Sequence, residues 1–140
     1  MKINIKNLKV SDKINSPDAL FKICKAALEF EDIIDQEKEH FWVFGLTTAN
    51  RIKYFELVSL GILNASLVSP RETFRLAISE GVCSIIVAHN HPSGNLQPSR
   101  EDINITNKLV QSGKILEIPV LDHLIIAENK YYSFSENNLI

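Results

Sequence analysis

Cysteine is scarce in this 140-residue chain, and the two it has give no sign of a disulfide or of a cysteine-ligated metal. Cys24 and Cys83 lie in apolar surroundings, FKICKAAL and GVCSIIVA, without CxxC spacing or a secretory context, so both are expected as buried thiols. No apolar run approaches the ~18 residues of a membrane span. The first residues, MKINIKNLKV, lack the apolar centre of a signal peptide, so a cytoplasmic protein that does not engage a membrane is the expectation. Cations are not in excess either: 15 Lys and Arg stand against 17 Asp and Glu, without a basic block, so the electrostatic footprint of nucleic-acid binding is not visible. Internal repeats and low-complexity tracts are also missing, which excludes a solenoid or an array.

What is present suits one compact domain. The chain is 45% hydrophobic with a formal charge of -2, and a chain of this length buries roughly 68–70% of its unfolded surface without needing a structural metal. A metal here would therefore serve function. Residues 1–10 alternate weakly and are expected as an edge strand. Ser16-Pro17 reads as N-cap and first-turn proline of a helix, with Leu20, Ile23, Cys24, Ala27 and Leu28 on one face. After a charged connection, HFWVFGLTT and IKYFELVSLGIL flank the turn TANR as an antiparallel hairpin.

Ser69-Pro70-Arg71-Glu72 opens a second helix that Gly81 would close, and CSIIVA then suits a strand buried on both faces, delivering His89 at its C-terminal end. The prolines and glycine of NHPSGNLQP break regular structure. Ser99 starts a third helix running to about Gly113, with Ile103, Ile105, Leu109 and Val110 as its apolar positions. Strands within ILEIPVLDHLIIA and at YYSF, joined by the turn ENK, complete the chain. This order predicts an α+β fold, a mixed, largely antiparallel sheet with helices packed against it.

His89 and His91 stand one residue apart at a strand end, where the chain turns at Pro92, and Asp102 lies in the first turn of the next helix. Imidazole suits a borderline-soft cation such as zinc, and two histidines with one carboxylate leave a fourth tetrahedral position for water. His-x-His by itself also describes two surface histidines beside a turn. Likewise Ser99-Arg100-Glu101-Asp102 reads equally well as a capping box. Spacing alone does not decide between these readings.

The stretch HNHPSGNLQPSRED resembles the JAMM metal motif of the JAB/MPN domain: His-x-His, seven residues, then Ser-x-x-Asp, without a gap. The flanks GILNASLVSPRETFRLAI, SREDINITNKLVQSGKIL and IPVLDHLIIAENKYYSF resemble the RadC-like branch of that superfamily. The likeness covers roughly residues 37–140 and fades through the first helix, so residues 1–36 are expected as a strand and helix packing on a JAB/MPN-like domain. Many RadC-family proteins also carry a long N-terminal helical region that this chain lacks, which suggests a short, stand-alone version.

The resemblance implies one Zn2+ per chain held by His89, His91 and Asp102. It implies that Ser99 stabilises the tetrahedral intermediate. Glu39, in KEHFWVF, matches the family's glutamate and would take the proton of the metal-activated water; Glu37 and Glu56 are rivals for that role. The implied activity is hydrolysis of an amide bond, peptide or isopeptide, in a peptide or protein substrate. A second reading is a non-catalytic module of DNA repair or recombination that binds a protein or nucleic-acid partner, possible from the family label but without support from charge. Phosphodiester cleavage fits less well, because such nucleases often use two metals.

Other polar residues have blander readings. His40 and Trp42 suit packing, and Ser93 and Gly94 suit loop shaping. Asn90 suits a turn or a polar group near the metal, and the pair Asp122-His123 suits a structural hydrogen-bonded element better than a supporting role beside the ligands.

Overall fold

Three serine caps set out the helices of the computed structural model, which describes residues 2–3, 16–61 and 68–140. Helix α1 (Pro17–Glu29) begins at extended Ser16 with proline in its first turn and buries Leu20, Phe21, Ile23, Cys24 and Ala27. A single turn, α2 (Ile33–Gln36), forms in the charged connection, with Gln36 N–H donating to the Asp32 carbonyl. Helix α3 (Pro70–Glu80) starts at Ser69, whose side chain accepts from Glu72 N–H. It stops at Gly81, which adopts the left-handed conformation (φ 67°) that glycine takes without strain.

Helix α4 (Arg100–Leu116) runs one turn further than the glycine-terminated helix expected from the sequence. Gly113 is interior, and a Cβ there would sit 2.5 Å from the Ile118 carbonyl oxygen. Close approach, not chain termination, accounts for this glycine. The left-handed residue that ends the helix is Glu117 (φ 59°).

The strands are β1 (Lys2–Ile3), β2 (Glu39–Leu46), β3 (Ile52–Gly61), β4 (Ser84–Asn90), β5 (Val120–Ala127) and β6 (Lys130–Ser133), and they form one sheet in the order β1-β3-β2-β4-β5-β6. The edge strand expected over residues 1–10 is present at 2–3, and the rest of that segment lies outside the described residues. The β2/β3 hairpin forms as expected, and only β4 and β5 run parallel, joined by α4 as their crossover. This is an α+β single domain.

Successive strand residues face opposite sides of the sheet. Leu20 of α1 borders a cavity with Ile86 and Asp122, whereas Thr106 of α4 bonds to His123. The two helices therefore cover opposite faces, and α1 belongs to the same hydrophobic core as the sheet. Strand β4 is buried along its whole length, as its apolar run predicts. One thiol departs from expectation: Cys24 is buried, but Cys83 is exposed, because it sits in the turn after Gly81 one residue before β4 begins. Among the described residues no helix is long and apolar enough to cross a membrane.

Candidate metal centre

Strand β4 carries His89 to its C-terminal end, and the chain then leaves the sheet with His91 N–H still donating to the Ile126 carbonyl of β5. The connecting loop is held by its own side chains: Ser93 Oγ accepts from Asn95 N–H, and Asn95 Oδ1 accepts from Gln97 N–H. Gly94 takes the left-handed turn (φ 85°). The loop ends at the capping box of α4, where Ser99 Oγ accepts from Asp102 N–H (3.0 Å) and Asp102 Oδ2 accepts from Ser99 N–H (2.8 Å). Both sequence readings of Asp102 therefore coexist. Its carboxylate caps the helix and also faces the histidines.

The three expected ligands converge. His89 Nε2 and His91 Nε2 lie 2.8 Å apart, Asp102 Oδ1 is 3.3 Å from the first and Oδ2 3.1 Å from the second. One donor atom from each residue lies within 4.8 Å of the others, a group able to hold a metal ion. The donor chemistry fits a cation. His91 Nδ1 donates to the Asn95 carbonyl at 2.6 Å, so a neutral His91 presents a bare Nε2 to the centre. Three electron-rich atoms meeting at such distances call for a shared proton or a cation between them.

Charge and burial tune these groups in opposite directions. Burial pushes His89 below the ordinary histidine value, against the pull of Asp102. His91, half-buried at the floor of the cleft, is raised chiefly by its hydrogen bond to Asp102. Burial alone would raise the Asp102 carboxyl, but hydrogen bonds from His89 and His91, with help from Ser99 N–H, hold it well below the usual carboxylate range.

A cleft of about 590 Å³ opens above this group, with Glu37, Glu39 and Gly61 on one side and Ser99, Glu101 and Asp102 on the other. The hairpin register explains how Glu39 arrives there. Phe41 pairs with His89, and Glu39, two residues before Phe41 on β2, lies on the same face of the sheet and borders the cleft with His91. Its rival Glu37 borders the same cleft, whereas Glu56 pairs with Val43 on β3, a strand farther from β4, and does not line it. Ser99 uses its oxygen lone pair for the cap, which leaves its hydroxyl hydrogen available to the cleft.

Two residues have more specific positions than their sequence context implied. Asn90 lies neither in a turn nor among the ligands. Its Oδ1 accepts from His40 N–H (2.5 Å) and its Nδ2 donates to the Lys38 carbonyl (3.0 Å), gripping the backbone on both sides of Glu39. Asp122 and His123 divide their roles. Asp122 is structural as expected, accepting from Ser133 Oγ and from the backbone N–H groups of His123 and Ser135. His123, by contrast, sits with Nε2 2.6 Å from His89 Nδ1, directly behind a ligand. The signal for it was the alternation of β5: in register with Val87, His123 shares its face with His89. His40 and Trp42 stack on the opposite face, with Trp42 in the core.

An α+β domain with a His-His-Asp group at the end of its central strand defines a class, and the family comparison agrees with it. The model of the RadC-like JAB domain matches residues 14–139, and the chain belongs to that family. Among its relatives, the UPF0758 protein of Desulforamulus reducens is 47% identical over 113 residues, covering 81% of this chain and 50% of the relative. The UPF0758 protein of Methanosarcina mazei is 44% identical over 128 residues, 91% of this chain and 54% of the relative. That of Methanococcoides burtonii is 51% identical over 104 residues, 74% and 45% respectively. The chain thus spans about half the length of the curated relatives it matches.

Proposed function

We propose that the cleft is the active site of a zinc-dependent hydrolase that cuts an amide bond, peptide or isopeptide, in a peptide or protein substrate. The observation that carries this reading is the convergence of His89 Nε2, His91 Nε2 and the Asp102 carboxylate at the floor of a cleft that Glu39 borders. One zinc ion per chain, held by these three residues, would bring the pKa of water toward ~7 and polarise the scissile carbonyl.

The remaining chemistry belongs to the chain. Glu39 takes the proton of the attacking water and returns it to the leaving nitrogen as the C–N bond breaks, so that an acid and an amine are released. Ser99 donates its hydroxyl hydrogen to the carbonyl oxygen as negative charge develops there. Two free thiols, one exposed, suit a reducing compartment, and we place the activity in the cytoplasm.

Metal content tests the centre and a substrate screen tests the chemistry. Protein purified without chelator is expected to hold one zinc per chain, and His89→Ala close to none; near-zero zinc in both would remove the basis of the mechanism. In a screen of peptide and isopeptide-linked substrates, Glu39→Gln is expected to keep its zinc and lose about 10²–10⁴-fold in rate. Activity that survives Glu39→Gln but not Glu37→Gln would transfer the role of base to Glu37. A zinc-loaded protein inactive across the screen would favour the accessory-module reading.

A further inference from the structure

Behind the candidate ligands runs a buried chain of hydrogen bonds that no step above uses. Thr106 Oγ1 lies 2.7 Å from the Asp102 backbone carbonyl and 2.6 Å from His123 Nδ1, and His123 Nε2 lies 2.6 Å from His89 Nδ1. Thr106 and His123 are both about 1% exposed, and neither borders the cleft.

We infer that Thr106 and His123 are positioning residues that fix the proton of His89 on Nδ1, and so turn the lone pair of Nε2 toward His91 and Asp102. The purpose of this arrangement rests on the metal-site reading. Hydrogen accounting carries the assignment. Both imidazoles are fully buried, His123 with no carboxylate on its ring and His89 with Asp102 beside its Nε2, and in the neutral form each carries one N–H. The Thr106 hydroxyl, His123 and His89 therefore supply three hydrogens. Four contacts compete for them: Asp102 carbonyl with Thr106, Thr106 with His123, His123 with His89, and His89 Nε2 with His91 and Asp102.

One contact must go without. If Thr106 donates to His123, the vacant contact is a pair of buried oxygens 2.7 Å apart, and the proton of His89 is forced onto Nε2, where it blocks the ligand atom. If Thr106 donates to the carbonyl, the vacancy falls at one of the other three contacts. At Thr106/His123 or His123/His89 it would leave buried lone pairs facing each other at 2.6 Å. Only with His123 donating from Nδ1 to Thr106 and His89 from Nδ1 to His123 does it fall where three electron-rich atoms meet and a cation can be held. This last arrangement places the deficit where an ion can fill it. His91 needs no such relay, because a carbonyl can only accept and the Asn95 carbonyl fixes its proton directly.

The test compares Thr106→Val, which keeps the shape but removes the hydroxyl, with Thr106→Ser, which restores it. Zinc affinity is measured by competition with a chromophoric chelator at pH 8, and the protonated nitrogen of each imidazole is read from two-bond 1H–15N correlations. Thr106→Val is expected to bind zinc about 10–100-fold more weakly, the usual loss when a partner behind a metal ligand is removed, with Thr106→Ser close to wild type. His123→Gln, whose amide oxygen accepts in place of Nε2, is expected to bind more tightly than His123→Leu.

Wild-type zinc binding that Thr106→Val leaves unchanged would overturn the relay while leaving the metal site standing. If wild type binds no zinc, the metal reading fails and the spectra decide the relay alone. A proton on His89 Nδ1 then supports it, and one on Nε2 overturns it.

Discussion

Asp102 serves the helix and the candidate metal together, and two substitutions separate the roles. In Asp102→Asn the amide oxygen can still accept from Ser99 N–H, the bond now made by Oδ2 at 2.8 Å, while the amide N–H₂ group faces the bare nitrogens of His89 and His91. Metal-free stability at pH 8 is then expected to stay within about 0.5 kcal/mol of wild type, since one acceptor is kept and a crowd of lone pairs gains a donor. Asp102→Ala removes the acceptor and is expected to cost about 1 kcal/mol. For a chain this long that is about 3 °C in midpoint.

Zinc separates the variants further. At a zinc concentration of about 100 Kd, wild type gains about 2.7 kcal/mol, or about 8 °C. A variant whose affinity has fallen about 100-fold gains about 0.4 kcal/mol, or about 1 °C. Thermal unfolding followed by circular dichroism, with chelator and with zinc, reads both numbers. An Asp102→Asn protein that keeps the full zinc shift, or that loses as much metal-free stability as Asp102→Ala, would refute the division of roles.

Three further outcomes follow from the structure. Gly45→Ala would set a Cβ 2.0 Å from Cε2 of the buried Tyr54 ring, so a loss of about 1–3 kcal/mol is expected in chemical denaturation, and an unchanged midpoint would show that the ring moves freely. Metal-free stability is expected to fall as the pH drops below about 6.5: burial holds His89 and His123 below their ordinary value, so in that window the unfolded chain binds protons that the fold refuses. Asp102, also lowered, adds to the loss at more acidic pH, while the raised His91 works the other way and loses its contribution as pH climbs through its own pKa, so a midpoint independent of pH between 5 and 7 would contradict the burial of these rings. With a thiol reagent, Cys83 is expected to react in the native protein and Cys24 only on unfolding, because Cys24 is buried and its thiol is pushed far up; two fast equivalents would refute this.

Local chemistry was readable along the chain wherever a residue acts on its near neighbours. Ser69 with Glu72 and Ser99 with Asp102 form the expected caps because a cap needs only three residues of sequence, and the run SIIVA forms a strand buried on both faces because nothing in it tolerates solvent. His89, His91 and Asp102 were legible through a motif that spans a single loop. Residues whose meaning depends on strand pairing were not. His123 acquires its place behind His89 from the parallel pairing of β4 with β5, thirty-four residues apart in sequence, and Gly113 acquires its role from the Ile118 carbonyl that folds back on it. Cys83 looked apolar by its neighbours, but a strand boundary one residue later left it outside.

Asn90 gives the sharpest separation between holding a metal and using it. The candidate ligands come from β4 and α4, whereas Glu39 comes from the start of β2, and Asn90 bridges the two by bonding the backbone of Lys38 and His40 on either side of Glu39. Asn90→Ala leaves His40 N–H buried without that acceptor, at a cost of about 1–3 kcal/mol in stability. None of the three ligand side chains loses a contact, so zinc affinity is expected to stay within about twofold of wild type, the roughly 0.3–0.5 kcal/mol within which independent sites add. Glu39 would lose its fixed reach, and a misplacement of about 1 Å costs on the order of 10²-fold in rate. The loss should appear in kcat at saturating substrate with zinc bound. A variant that weakens zinc binding as much as Thr106→Val does, or that hydrolyses substrate at the wild-type rate, would show that the strand start is held by something other than Asn90.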